Sequence, residues 1–202
     1  MTKMLSAALF LSLHPLAAAA QTSVAINSSG SDQSISVDQS QSTASRVDIE
    51  QIGDSNHLTH IQAGDSQTSG FRVLGNDNNI TARQEGSGAN SLALDLSGNG
   101  NEARLHQSSL EGSSNTLALL QNGNGNFADL SQSAYAGANQ MALSQNGDGN
   151  SASLTQNGDD NTLSLTQNGD SNRADLSQTG NGLGLSLTQD GGASIVISQV
   201  SP

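Results

Sequence analysis

Between residues 150 and 178 apolar and polar side chains alternate with a period of two. Ala152 and Leu154, Leu163 and Leu165, and Ala174 and Leu176 share one parity, and Ser151, Ser153 and Thr155 hold the other. That is the period of a β-strand with one buried face. Each seven-residue segment opens on Asn and closes on Gln. The four residues that follow, such as Asn157-Gly158-Asp159-Asp160, suit a tight turn: glycine supplies positive φ and the Asx side chains supply local hydrogen bonds. Strand plus turn makes eleven residues. Gln145, Gln156, Gln167, Gln178 and Gln189 recur at that interval, each with glycine two positions on. A unit this short cannot bury its own apolar face and has to stack on its neighbours.

The same segment is traceable at 22–28, 33–39, 45–51, 56–62, 67–73, 78–84, 90–96, 101–107, 115–121, 126–132, 139–145, 150–156, 161–167, 172–178, 183–189 and 193–199. A reversing turn after each segment predicts strand-turn-strand coils of about 22 residues, stacked at ~4.8 Å. The fold class is all-β, a β-solenoid or cross-β stack of about sixteen strands in about eight coils. One repeat array occupies 21–202 and is most regular over 115–199.

Residues two units apart then become neighbours, which places Arg72 between Glu50 and Asp95 and Arg104 beside Asp129. Arg46, Arg83 and Arg173 meet no acid in this way. His60 stands in a Leu position with Ile61 outward. His57 and His60, three apart, point to opposite faces and are read as solvated or turn-adjacent. The longer steps 107–115 and 132–139 put extra residues into turns.

At one height in every coil an amide side chain recurs, carrying both donors and an acceptor. The expected ladder residues are Gln121, Asn126, Gln132, Asn139, Gln145, Asn150, Gln156, Asn161, Gln167, Asn172, Gln178, Gln189 and Gln199. Each amide should bond to the amides above and below it. An unpaired buried amide costs roughly 1–3 kcal/mol, so such ladders penalise every slipped register. Leu183 in place of Asn, and Val73 and Leu96 in place of Gln, should weaken their rungs. The turn glycines are Gly123, Gly147, Gly158, Gly169, Gly180 and Gly191. Asp148 and Asp170 should lie one coil apart and repel by about 1 kcal/mol across water, slowing the addition of further copies. Neither end of the array reads as a cap. Ser194-Ile195-Val196-Ile197-Ser198-Gln199 is still a strand pattern, and so is Ser23-Val24-Ala25-Ile26, which favours end-to-end polymerisation.

Composition narrows the function. The 202 residues are 33% hydrophobic and 2% aromatic with no Cys, too little to fill a conventional globular core and leaving neither disulfides nor thiolate sites. Lys3, the apolar run 4–13 and Ala18-Ala19-Ala20 have the form of a secretory signal peptide over 1–20. No later run reaches the length of a membrane helix, so the mature chain is expected to be exported and not an integral membrane protein. A net charge of −12 argues against nucleic acid as a partner. Coils joined by four-residue turns leave no loop to build a catalytic pocket, so no enzyme, catalytic residue, metal site or cofactor is expected. Gly98-Asn99-Gly100 has no following helix and is no nucleotide fingerprint. The Asn-Gly-Asp-Gly strings lack the nine-residue period of calcium repeats. A disordered polar tract would not need Leu and Gln in phase. A monomeric secreted solenoid binding ice or a surface through Thr162, Ser164 and Thr166 is the alternative, and that face is interrupted by Arg173 and Asp175 in the next unit.

The strings Ala-Ser-Leu-Thr-Gln-Asn-Gly-Asp-Asp-Asn and Arg-Ala-Asp-Leu-Ser-Gln-Thr-Gly-Asn-Gly resemble curlin repeats, the building units of bacterial extracellular amyloid fibres called curli. The match is tight over 115–189 and looser elsewhere. The resemblance implies a subunit secreted through a dedicated outer-membrane pore with accessory factors and nucleated by a related subunit. It implies polymerisation with its own kind into adhesive cell-surface fibres of the biofilm matrix. The chain fits a major subunit and a minor nucleator alike.

Overall fold

The computed structural model describes residues 7–12 and 22–201. Within them the chain forms seventeen β-strands in two all-parallel sheets. One sheet stacks, in chain order, β1 (Ala7–Ser12), β3 (Gln33–Thr43), β5 (His57–Asp65), β7 (Asn79–Gly86), β9 (Glu102–Ser109), β11 (Phe127–Ala134), β13 (Ser151–Asn157), β15 (Arg173–Thr179) and β17 (Ser194–Val200). The other stacks β2 (Ser23–Ser29), β4 (Arg46–Ile52), β6 (Thr68–Leu74), β8 (Ala89–Ser97), β10 (Ser114–Asn122), β12 (Ala138–Asn146), β14 (Thr162–Asn168) and β16 (Gly184–Asp190). The chain changes sheet at every turn, so two strands make one coil and the whole is a β-solenoid.

All sixteen sequence-derived segments coincide with β2 to β17. Most strands begin one residue after the expected start, because the opening Asn belongs to the turn. Register is continuous: Leu154 stacks on Leu130 and Leu176, and Gln156 on Gln132 and Gln178. One irregularity is a bulge in β3 between Asp38 and Gln41. β1 is an addition, drawn from the apolar run assigned to the leader and laid in parallel on β3. Lys3 and the small-residue triplet at 18–20 lie outside the described residues.

Inward positions of the two sheets meet in a narrow seam whose buried members include Leu58, Ile80, Leu117, Leu130, Met141, Leu154, Leu165 and Leu176. Burial of each such side chain contributes about 1.5–3 kcal/mol, and Gln and Asn columns flank the seam. Apolar residues at the ends differ from these: Val24, Ile26, Leu185, Leu187, Ile195 and Ile197 are only partly buried.

Candidate assembly interface: amide ladders and open ends

In the odd-numbered sheet the closing glutamines form one unbroken chain of amides. Nε2 of Gln39, Gln62, Gln84, Gln107, Gln132, Gln156 and Gln178 each donates to Oε1 of the equivalent Gln one coil on, ending at Gln199, over 2.5–3.1 Å. Most of these Nε2 groups also reach a backbone carbonyl of the facing sheet, as Gln156 does at Gln140 O (3.1 Å), so the ladder ties the two sheets together. In the even-numbered sheet Gln121, Gln145, Gln167 and Gln189 repeat the pattern at 2.8–2.9 Å. That ladder stops toward β8 and β6, where Leu96 and Val73 stand in the Gln column.

The asparagines work differently from the amide-to-amide stacking expected of them. Oδ1 of Asn126 accepts the backbone N–H of Asn150, and Oδ1 of Asn150 accepts that of Asn172, at 2.9 and 3.0 Å. Nδ2 turns to the glycine carbonyl of the neighbouring turn, Asn126 to Gly147 O (2.9 Å) and Asn161 to Gly180 O (2.8 Å). Asn139 accepts from Asn161 N and donates to Gly158 O. Side-chain pairing between asparagines survives at a few rungs, such as Asn172 Nδ2 to Asn150 Oδ1 (3.0 Å). Because the donor is a backbone N–H, Leu183 still bonds Asn161 Oδ1 at 2.9 Å, and what its rung lacks is the side-chain amide that reaches a turn carbonyl at Asn126, Asn139 and Asn161.

A third ladder runs along the turns, which sequence reasoning missed. Backbone N–H groups of Asp54, Asn76, Asn99, Asn124 and Asp148 each donate to Oδ1 of the Asx one coil on, ending at Asp170, over 2.7–2.9 Å. Asp148 and Asp170 do lie one coil apart, but each also holds the preceding turn. On the opposite edge, Asp159 Oδ1 accepts from the backbone N–H groups of Ala136, Tyr135 and Gly137, and these bonds, that of Ala136 foremost, hold its carboxyl below the usual range against the opposing effect of burial. The signal was present as an Asx after nearly every turn glycine. All six turn glycines have positive φ, from 55° at Gly191 to 128° at Gly123. At Gly123 a Cβ would overlap the carbonyl of Gly147 in the next coil.

The family model described as curlin associated repeat matches residues 137–169 and 158–191, spanning β12 to β16. No curated protein and no solved structure matches the chain.

Outside these matched curlin repeats the same coil is built with different chemistry. His60 is fully buried, a correction to its expected solvated place. Its Nδ1 faces Ala82 O (3.2 Å) and so carries the proton, its Nε2 meets Ser69 Oγ (2.9 Å), and its ring packs edge-on against Phe71 at 4.9 Å. Burial pushes this imidazole down to about 4. Arg72 bridges Glu50 (3.4 Å) and Asp95 (3.1 Å) as the coil spacing requires. Arg104 aligns with Asp129 but pairs with Glu102 on its own strand (2.6 Å) and lies over the Phe127 ring, another correction. Arg46 and Arg83 likewise reach acids two residues on, Asp48 and Glu85. Residues two apart on one strand share a face, so these ion pairs form along a strand as well as between coils. His106 and Arg83 converge on Glu85 and hold its carboxyl low.

Proposed function

We propose that this protein is a secreted structural subunit that stacks end to end into an extracellular fibre of curli type. The observation that carries this is the matching of its two ends. Beyond β16 and β17 on one side, and beyond β2 on the other, no described strand pairs, so backbone N–H and C=O groups are open there. Continuing the observed register across two copies lays Leu185 and Leu187 on Val24 and Ile26, and Ile195 and Ile197 on Ile35 and Val37. It also brings Gln199 Nε2 to Gln39 Oε1, a buried atom that has no hydrogen-bond partner among the described residues. The six partly buried core residues sit where such a contact would bury them.

Export of an unassembled subunit followed by its addition at a fibre end agrees with the leader-like N-terminus. Dilution from denaturant of the chain lacking residues 1–20 is expected to give thioflavin-positive fibres with meridional diffraction near ~4.8 Å. A persistently monomeric product would overturn the proposal.

A further inference from the structure

We propose that the free edge of β3 is a strand-docking site that the chain's own Ala7–Ser12 fills before the leader is removed, and that a second copy fills afterwards. The inference rests on the fibre assignment for its second half only. β1 pairs with β3 from Ala7↔Gln33 to Ser12↔Asp38, parallel like every other pair in the molecule. The register of a stacked copy would place β17 on the same edge, from Ser194 opposite Ser34 to Gln199 opposite Gln39. A strand edge accepts one neighbour, so β1 and an incoming β17 exclude each other.

Burial agrees with an occupied edge on this side alone. Ile35 and Val37 in β3 are 2% and 1% exposed, whereas Val24 and Ile26 in β2, whose outer edge has no partner among the described residues, remain partly exposed. The segment Ala-Ala-Leu-Phe-Leu-Ser carries no charge and suits an apolar edge. The described β1, Ala-Ala-Leu-Phe-Leu-Ser, carries no amide side chain, so it covers the backbone edge without adding a rung to the glutamine ladder. A full β17 supplies that rung through Gln199. Cleavage after Ala20 would therefore convert a blocked end into a growing one, coupling removal of the leader to the competence to polymerise.

The test uses the full chain with a protease recognition sequence inserted after Ala20, assembled by dilution before and after cleavage and followed by thioflavin fluorescence. Closing the docking site in about nine molecules of ten predicts a lag at least about tenfold longer before cleavage. The uncleaved Leu9→Pro/Phe10→Pro chain, which cannot pair β1, should recover the cleaved rate to within about twofold. Equal lags before and after cleavage, or a proline chain as slow as the uncleaved parent, would overturn the inference. If the cleaved chain stays monomeric, the fibre assignment fails instead. The docking half is then decided by Phe10→Cys/Ser36→Cys, register partners that should close an intramolecular disulfide on mild oxidation. Absence of that crosslink overturns it.

Discussion

Gln121 Oε1 is buried without a hydrogen-bond partner because the residue stacked against it in β8 is Leu96. In the other sheet every corresponding oxygen from Gln62 to Gln199 receives an amide proton from the coil before. Repairing the gap needs two changes. Leu96→Gln alone moves the orphan oxygen from position 121 to position 96, and Val73→Gln alone leaves Gln121 unserved. Together they would link Gln51 to Gln189 in one ladder. A double-mutant cycle in denaturant midpoint should show a favourable coupling of about 1 kcal/mol beyond the sum of the single effects. Simple additivity would mean that the ladder does not act as a unit.

Breaking an intact rung should cost more than removing a terminal one. Gln156→Leu strands the Oε1 of Gln178 inside the seam and should destabilise the monomer by roughly 1–3 kcal/mol. Gln199→Leu has no following rung within the molecule. It should leave the monomer's denaturant midpoint almost unchanged while slowing seeded elongation.

The turns can be probed through two glycines a step apart. Gly125 has φ near 64° with open space around it, so Gly125→Ala should cost about 1–2 kcal/mol. Gly123 has the carbonyl of Gly147 where a Cβ would go, and backbone cannot swing aside. Gly123→Ala should therefore be much the more damaging, as judged by thermal unfolding of the two variants side by side.

Buried His60 predicts acid sensitivity with a defined window. The folded state keeps the ring neutral down to about 4, while the unfolded chain takes up a proton near 6.5. Its contribution is therefore complete above pH 6.5 and is lost as pH falls from there toward 4. His60→Leu removes this dependence. The stability difference between variant and parent should shift in the variant's favour by on the order of 2 kcal/mol between pH 7.5 and pH 5.

Asp148 and Asp170 combine two opposed effects. Each accepts a turn N–H, from Asn124 and Asp148 respectively, and the two carboxylates stack one coil apart. Asn occupies the same column at positions 76, 99 and 124, so Asp148→Asn/Asp170→Asn should retain the bonds and remove only the repulsion. Faster fibre growth is expected at low ionic strength, with the difference shrinking in salt. An unchanged rate would show that these charges do not restrain growth.

How far the sequence can be read depends on which physical quantity each feature follows. Alternation and the eleven-residue step locate the strands and place Arg72 between Glu50 and Asp95, because side-chain direction in a strand follows parity alone. Donor and acceptor assignment does not follow parity. Asn126 bonds a backbone N–H and a glycine carbonyl because the local turn geometry turns its amide away from the next Asn. The burial of His60 depended on a second residue, Ser69, which occupies an inward position of β6 where Leu is usual. Two polar replacements at facing inward positions of successive units were a signal of mutual hydrogen bonding. β1 was hidden for a different reason: a short apolar run suits export and strand pairing equally.

Glutamine donates toward the C-terminal end at every rung, so the solenoid presents amide hydrogens at one extremity and an amide oxygen, that of Gln39, at the other. Two copies joined by like ends would set oxygen against oxygen or hydrogen against hydrogen. A two-fold dimer through the ends is thereby disfavoured, and the contact that remains is heterologous, repeating without closure. Such a filament has a sense of direction, and its two tips are chemically distinct sites of growth.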